Sequence, residues 1–305
     1  MNKIFIALML GSLALVSSCK KEDLGAKPTD LDQASITAEP GPGSVLLKWA
    51  IPQGADYRYV RVSYTDPATN KPAMRLASVY SDTLRVDGLL ARYGSIEFKI
   101  CPVGQKGAEG TTHTISAQAK PLPKVTKITD APAEKLVLAA GADDLFVSDP
   151  EKREGPKADL IDNNNGTFYH ENWSQDSGPR RPMPHYIVMK LPKSVKAFHF
   201  FMKGRNNANR SNPVEMDIYT SDAFNGNFDL EANKAVLVKA FTGLPDAQAA
   251  DYTSPVMLAD KAYTYVWFQI KKVYNNQAYA ALAELHVFAH KTEVYDPETG
   301  ETTNE

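Results

Sequence analysis

Val214-Glu215-Met216-Asp217-Ile218-Tyr219-Thr220-Ser221-Asp222-Ala223-Phe224-Asn225-Gly226-Asn227-Phe228 decides how the second half of this chain is read. Val214, Met216 and Ile218 alternate with Glu215, Asp217 and Tyr219, the period of a strand with one solvated face. Ser, Asp, Asn and Gly then crowd together, which is turn chemistry. Working outward, residues 186–191, 195–203, 235–241, 263–273 and 282–289 read as further strands. His199, Phe200 and Phe201 with Trp267 and Phe268 predict a large aromatic core. The best helical signal, around 133–140, is weak. The span 124–290 is long enough to bury one core.

Three segments of this span, in order, resemble the coagulation-factor type C, or discoidin-like (galactose-binding-like), domain. Ala158-Asp159-Leu160-Ile161-Asp162-Asn163-Asn164-Asn165-Gly166-Thr167-Phe168-Tyr169 is similar to that family's early Asp-Gly-Asp/Asn-x-x-Thr-x-Trp loop, with Asn163 where the family has Gly. Ile218–Phe228 is similar to its strand-Ser-x-Asp-Gly-x-Trp turn. Ala283-Glu284-Leu285-His286-Val287-Phe288 is similar to its closing strand. The resemblance implies a jelly-roll β-sandwich.

Upstream, residues 34–38, 45–51, 57–64, 74–80, 83–86, 96–103 and 113–119 read as seven short strands separated by turn residues such as Pro40-Gly41-Pro42-Gly43 and Asp87-Gly88. Gly43-Ser44-Val45-Leu46-Leu47-Lys48-Trp49, with Leu84-x-Val86-x-Gly88-Leu89 ahead of Ile96-x-Phe98-x-Ile100, resembles a fibronectin type III domain over 32–122; Ile96 stands where that family has Tyr. Such a module reads as a spacer or scaffold. Alternation makes at least half of Tyr57, Tyr59 and Tyr64 core. Pro121-Leu122-Pro123 marks the boundary. The expected fold class is all-β throughout.

The chain begins Met1-Asn2-Lys3, then runs apolar from Ile4 to Val16. That is too short to span a bilayer and fits a signal-peptide core. Val16-Ser17-Ser18-Cys19 resembles the bacterial lipobox. The expectation is a signal peptide over 1–18, a lipidated Cys19 and a polar tether over 19–31 that anchor the protein to a membrane. Cys101 then lacks a partner and reads as a small core residue. Residues 291–305 read as a polar tail that frays.

The 305 residues carry 34 Lys+Arg against 36 Asp+Glu, a net charge of −2, without the basic stripe that a nucleic-acid partner requires. Two cysteines exclude a disulfide framework and a Cys-based zinc site. Gly-x-Ser-x-Gly, P-loop, Gly-x-Gly-x-x-Gly and His-Glu-x-x-His signatures are absent, so no enzyme is expected. His286 and His290 lie on one strand, about 13 Å apart at about 3.3 Å per residue, too far to share a metal.

Asp162, Asn164 and Thr167 gather oxygen groups in one tight loop, a set able to wrap a hard cation. The type C resemblance implies that Glu284 and the Ala283 carbonyl close a structural Ca2+ site; the same residues also read as a hydrogen-bonded turn. For ligand binding, three stretches are rich in aromatic and planar polar groups: Tyr169–Gln175 with Arg180 and Arg181, Lys203–Asn212, and Tyr274–Gln277. Sugars need an aromatic face plus Asn, Arg and His groups for hydroxyls. Trp173 is the expected platform, with His170, Arg205, Asn209 and Arg210 as hydrogen-bonding groups; alternatively Trp173 is core and Arg205 pairs with an acid such as Glu171. The whole resembles the cell-surface, outer-membrane glycan-binding lipoproteins of the Bacteroidota. That implies non-catalytic carbohydrate binding in polysaccharide capture and utilisation beside importer proteins. The alternative is a structural lipoprotein that docks on another surface protein.

Overall fold

The computed structural model describes residues 23–176 and 178–304. Cys19 and the signal segment lie outside the described residues. Among the described residues the protein is all-β, its helices being short 3-10 turns. Two compact units divide it: Met1–Pro123 with Asp296–Gly300, and Lys124–Tyr295 with Glu301–Glu305.

The first unit contains β1 (Thr37–Gly41), β2 (Ser44–Lys48), β3 (Tyr57–Asp66), β4 (Lys71–Ser78), β5 (Thr83–Asp87), β6 (Ile96–Gly104) and β7 (His113–Ala117). They form two antiparallel sheets, β1-β2-β5 and β4-β3-β6-β7. Alternation decides what lies between them. Val60 and Val62 of β3, Phe98 and Ile100 of β6, and Val45 and Leu47 of β2 are buried together with Trp49. Tyr57 and Tyr64 are buried there and Tyr59 is half-buried. Cys101 is buried with a free thiol.

The stretch expected to be a flexible tether is docked from Asp23 onward. Leu31 is buried, and the Ala108 N–H donates to the Leu24 carbonyl at 3.0 Å. Asp30 accepts from Lys27 Nζ at 2.7 Å, from the Thr111 N–H and from Thr111 Oγ1 at 2.7 Å, and these donors, Lys27 first, hold its carboxyl down at about 2. Side-chain partners on the sandwich therefore fix a segment whose composition alone suggests a linker.

The second unit contains β8 (Val125–Ile128), β9 (Glu134–Lys135), β10 (Leu145–Val147), β11 (Tyr169–His170), β12 (His185–Gly204), β13 (Pro213–Ser221), β14 (Val236–Thr242), β15 (Asp251–Thr253), β16 (Met257–Val273), β17 (Ala281–His290), β18 (Thr292–Asp296) and β19 (Glu301–Asn304). Nine of them make one sheet ordered β11-β17-β12-β16-β13-β14, with β10 and β15 on β12 and β9 on β17. The long β12 changes partners along its length. Its first half pairs with β10 and β16; β16 follows it as far as Phe198 across irregularities near Lys190 and Val195, and from Ala197 onward β17 and then β15 take over. A strand that switches partners at such breaks turns a corner and encloses a core.

Within that core Phe198, Phe200, Phe268, Ile187, Ile218 and Leu285 are all fully buried. Burying each Phe contributes about 1.5–3 kcal/mol. The aromatic core expected from sequence is present in Phe200 and Phe268, whereas Trp267 is buried on the other face of β16 against Phe224 and Tyr186, and His199 and Phe201 are only half-buried on the opposite face of β12. A period of two cannot send neighbours to one side.

The weak helical signal around 133–140 gives no helix. Leu136 and Leu138 are buried while Val137 is 75% exposed, so the extended period wins, and the Leu136 N–H donates to the Val287 carbonyl at 2.9 Å. The tail, expected to fray, is also strand: β18 pairs with β8 and β19, and Thr292 and Val294 alternate inward.

Candidate ligand-binding site

β11 places His170 opposite Ala281 of β17. The chain then leaves the sheet, and its own polar groups pin the loop that follows. Asn172 is buried; its Oδ1 accepts from the Gln175 N–H at 3.0 Å and its Nδ2 donates to the Gly178 carbonyl at 3.0 Å. Glu151 Oε2 accepts from Ser174 Oγ at 2.7 Å and from the Ser174 N–H at 3.1 Å, while Oε1 accepts from the Lys152 and Arg153 N–H groups. Burial alone would raise the Glu151 carboxyl; these donors outweigh it and hold it at about 2. Arg180 donates from Nε to the Asn172 carbonyl at 2.7 Å and from Nη2 to the Trp173 carbonyl at 2.6 Å.

The effect is to hold Trp173 outward. Trp173 is 41% exposed, so the core alternative fails. The Trp173 ring meets His170 edge-on at 6.1 Å; His170 lies 5.4 Å from Tyr279 and 6.1 Å from Phe168. Two guanidinium groups cover the flanks: Arg205 sits 3.6 Å over Phe168 and Arg180 5.0 Å over Tyr279. Glu171 engages His185 rather than Arg205. Six side chains thus form one patch of aromatic surface edged with donors.

His170 Nδ1 lies 2.6 Å from the Glu171 carbonyl, which only accepts, so Nδ1 carries the proton. Burial, then the Arg205 charge, act against a positive ring and outweigh that carbonyl, so His170 is held below the usual imidazole range. A neutral ring protonated at Nδ1 leaves Nε2 as an acceptor, on a residue that is only 3% exposed at the base of the patch. Gly155 lets the chain pass close behind His170, whose backbone N–H donates to the Gly155 carbonyl at 3.0 Å: at φ +66°, a Cβ there would fall 2.6 Å from the His170 backbone nitrogen.

The structure brings His170, Trp173 and Arg205 together but places Asn209 and Arg210 elsewhere. Asn209 is exposed in a turn where its N–H donates to Asn207 Oδ1 at 2.8 Å. Arg210 lies 4.0 Å over Tyr274 and donates to the Asp246 carbonyl. Sequence reasoning missed Tyr279, placed Phe168 only in the early loop, and counted Arg180 in the ligand-binding stretch without naming it among the hydrogen-bonding groups. Tyr279, two residues past the Tyr274–Gln277 stretch, leads back into β17, which is the signal that marks it.

The cation candidates also converge. Asp162 Oδ1 accepts from the Asn164 N–H at 2.8 Å, and Thr167 Oγ1 lies 2.7 Å from Asp162 Oδ2. Asn163 takes the left-handed geometry, φ +61°, in place of the expected Gly. Ala283 and Glu284 are buried on β17. His286 Nε2 is 2.8 Å from Glu284 Oε2, yet neither carboxylate oxygen receives a hydrogen bond of good geometry. Burial, with the Asp162 carboxylate beside it, pushes Glu284 up to about 7. Burial pulls His286 down to about 4, so it brings no charge. Among the described residues no three His, Cys, Asp or Glu side chains form a metal cluster, so a cation here would draw on amide, hydroxyl and carbonyl oxygens besides these two carboxylates.

No protein-family description matches the chain, and no curated protein matches it. Solved structures do. A family 32 carbohydrate-binding module of C. perfringens NanJ, in complex with galactose, is 17% identical over 52% of this chain and 99% of its own, with a TM-score of 0.36. A SusE-like protein is 13% identical over 84% of this chain and 97% of its own, TM-score 0.35. The lectin domain of lectinolysin, complexed with Lewis B antigen, is 18% identical over 48% of this chain and 91% of its own, TM-score 0.35.

Proposed function

We propose that the second unit binds carbohydrate without catalysis. The observation that carries this reading is the half-exposed Trp173, fixed beside the acceptor nitrogen of His170 and the stacked guanidinium of Arg205. The apolar face of a sugar covers the indole; its hydroxyls meet His170, Arg180 and Arg205. Lipid on Cys19 holds the protein at the outer membrane, facing outward, where it captures polysaccharide for importer proteins. A glycan array tests the binding: the wild-type chain is retained on at least one glycan and Trp173→Ala is not. Retention of neither, with a surface protein co-purifying instead, would favour the docking alternative. Release of Cys19→Ala from the membrane fraction tests the anchor.

We further propose that Ca2+ is held structurally by Asp162, Asn164, Thr167, Glu284 and the Ala283 carbonyl. The buried Glu284 carboxylate, beside that of Asp162 and with no hydrogen bond of good geometry to either oxygen, supports this reading. Calorimetric titration with Ca2+ tests it: one equivalent binds, chelation lowers the melting temperature, and Glu284→Ala abolishes both effects.

A further inference from the structure

Outside both sites, β12 and β17 carry a pair of imidazoles that the function above does not use. His199 stands opposite Phe288, and His290 lies two residues further along β17, on the same face. Their rings meet: His199 Nδ1 is 2.7 Å from His290 Nε2, with centroids 5.0 Å apart. His199 is held flat on Phe288, 4.7 Å away and 5° from parallel, so its orientation is fixed. Both rings are half-buried. Burial lowers both from the usual imidazole range, and each ring's charge would oppose the other, so at neutral pH both are in the form that ligates a metal.

We propose that His199 Nδ1 and His290 Nε2 form an open, two-imidazole site for a divalent transition metal of the Zn2+ or Ni2+ kind. Neutral imidazole nitrogens suit these ions, whereas Ca2+ and Mg2+ prefer oxygen. Metal–nitrogen bonds of about 2.0–2.1 Å in a tetrahedron put the two nitrogens about 3.3 Å apart. The rings need to open by only about 0.6 Å, a small χ adjustment for groups on two rigid strands. His290 also borders a cavity of about 650 Å³ whose lining includes Glu134 and Asp260. Both carboxylates are engaged, Glu134 by Lys193 Nζ at 2.5 Å and Asp260 by Tyr263 OH at 2.8 Å. The remaining coordination positions therefore fall to water or an incoming ligand reaching the metal from that cavity.

The test is calorimetric titration of the full chain with ZnCl2 and with NiCl2 at neutral pH, with Ca2+ present in excess. One equivalent of transition metal binds the wild-type chain. His199→Ala and His290→Gln each weaken it at least about tenfold, while melting curves without metal show that both variants fold. Glu284→Ala leaves transition-metal binding intact, which separates this site from the oxygen-rich one. No binding by the wild-type chain, or undiminished binding in the folded double variant, overturns the proposal and leaves a simple imidazole–imidazole hydrogen bond.

Discussion

His185 Nδ1 lies 2.6 Å from Glu171 Oε2, while the Nε2 of the same fully buried ring lies 2.9 Å from the Arg181 carbonyl. Both partners accept, so both nitrogens donate and His185 is an imidazolium. Burial lowers its pKa, but the Glu171 carboxylate, then the Arg181 carbonyl and Asp149, outweigh burial and raise it. A raised folded pKa contributes stability that is complete below the unfolded value, about 6.5, and is lost as pH rises through the folded one. The melting temperature of the second unit falls as pH climbs above 6.5, by about 2–4 °C for each kcal/mol lost. Glu171→Gln flattens this alkaline limb. A wild-type profile already flat above 6.5 would contradict the assignment. Glu171 also accepts from the Ala280 N–H at 2.6 Å, so this buried pair joins the binding loop to the start of β17.

Gly155→Ala is expected to harm the site and the fold together. The left-handed backbone costs a non-glycine residue about 1–2 kcal/mol. The added Cβ also meets the His170 backbone nitrogen at 2.6 Å and the His170 Cβ at 2.7 Å, so the chain has to shift. Thermal melts record the loss of stability, and glycan binding falls because His170 is displaced.

Trp173→Ala separates binding from folding. Because the ring is substantially exposed, stability changes by no more than about 0.5 kcal/mol, while affinity for a bound glycan drops about tenfold or more. Arg205→Lys keeps the charge but loses the planar stack on Phe168, and weakens binding as well. Affinity electrophoresis against the glycan found on the array reads both.

Phe200 and Phe201 test the strand period directly. Phe200 packs against Phe241, Tyr252 and Phe268 in the core; Phe201 stacks on His286 on the outer face. Phe200→Ala costs about 3–5 kcal/mol and Phe201→Ala much less, measured by denaturant unfolding. Equal costs would contradict the side assignment.

Much of the fold was legible because its signals are local. All seven strands expected before residue 120 are present, and β13 and β17 stand where alternation put them. What failed were segments whose structure comes from partners distant in sequence. Asp23–Leu31 has linker composition, but Thr111 and Ala108 hold it. Thr292–Asp296 is polar, yet β8 pairs with it. In the site, His170 and Trp173 stood out as aromatic and polar groups close together in a loop. Tyr279 joins them only through the pairing of β11 with β17, and Arg210 leaves them because Tyr274 and Asp246 capture it. Such pairings depend on register, which no single window of residues displays.

From Glu284 onward, past the irregularity that leaves Leu282 in the core, the division of labour on β17 is by parity. Leu285, Val287 and Ala289 belong to the core cluster, while Glu284, His286, Phe288 and His290 carry every ionisable or ring contact described on the other face. The even-numbered positions can therefore diverge in chemistry with little demand on the core, as long as the odd-numbered ones stay apolar. Inserting or deleting one residue in this strand would exchange the two sets, putting Glu284 and the histidines into the apolar core and Leu285 and Val287 among the polar and ring partners of the other face. Substitution is the permitted route of change for this strand, and a shift in length is the forbidden one.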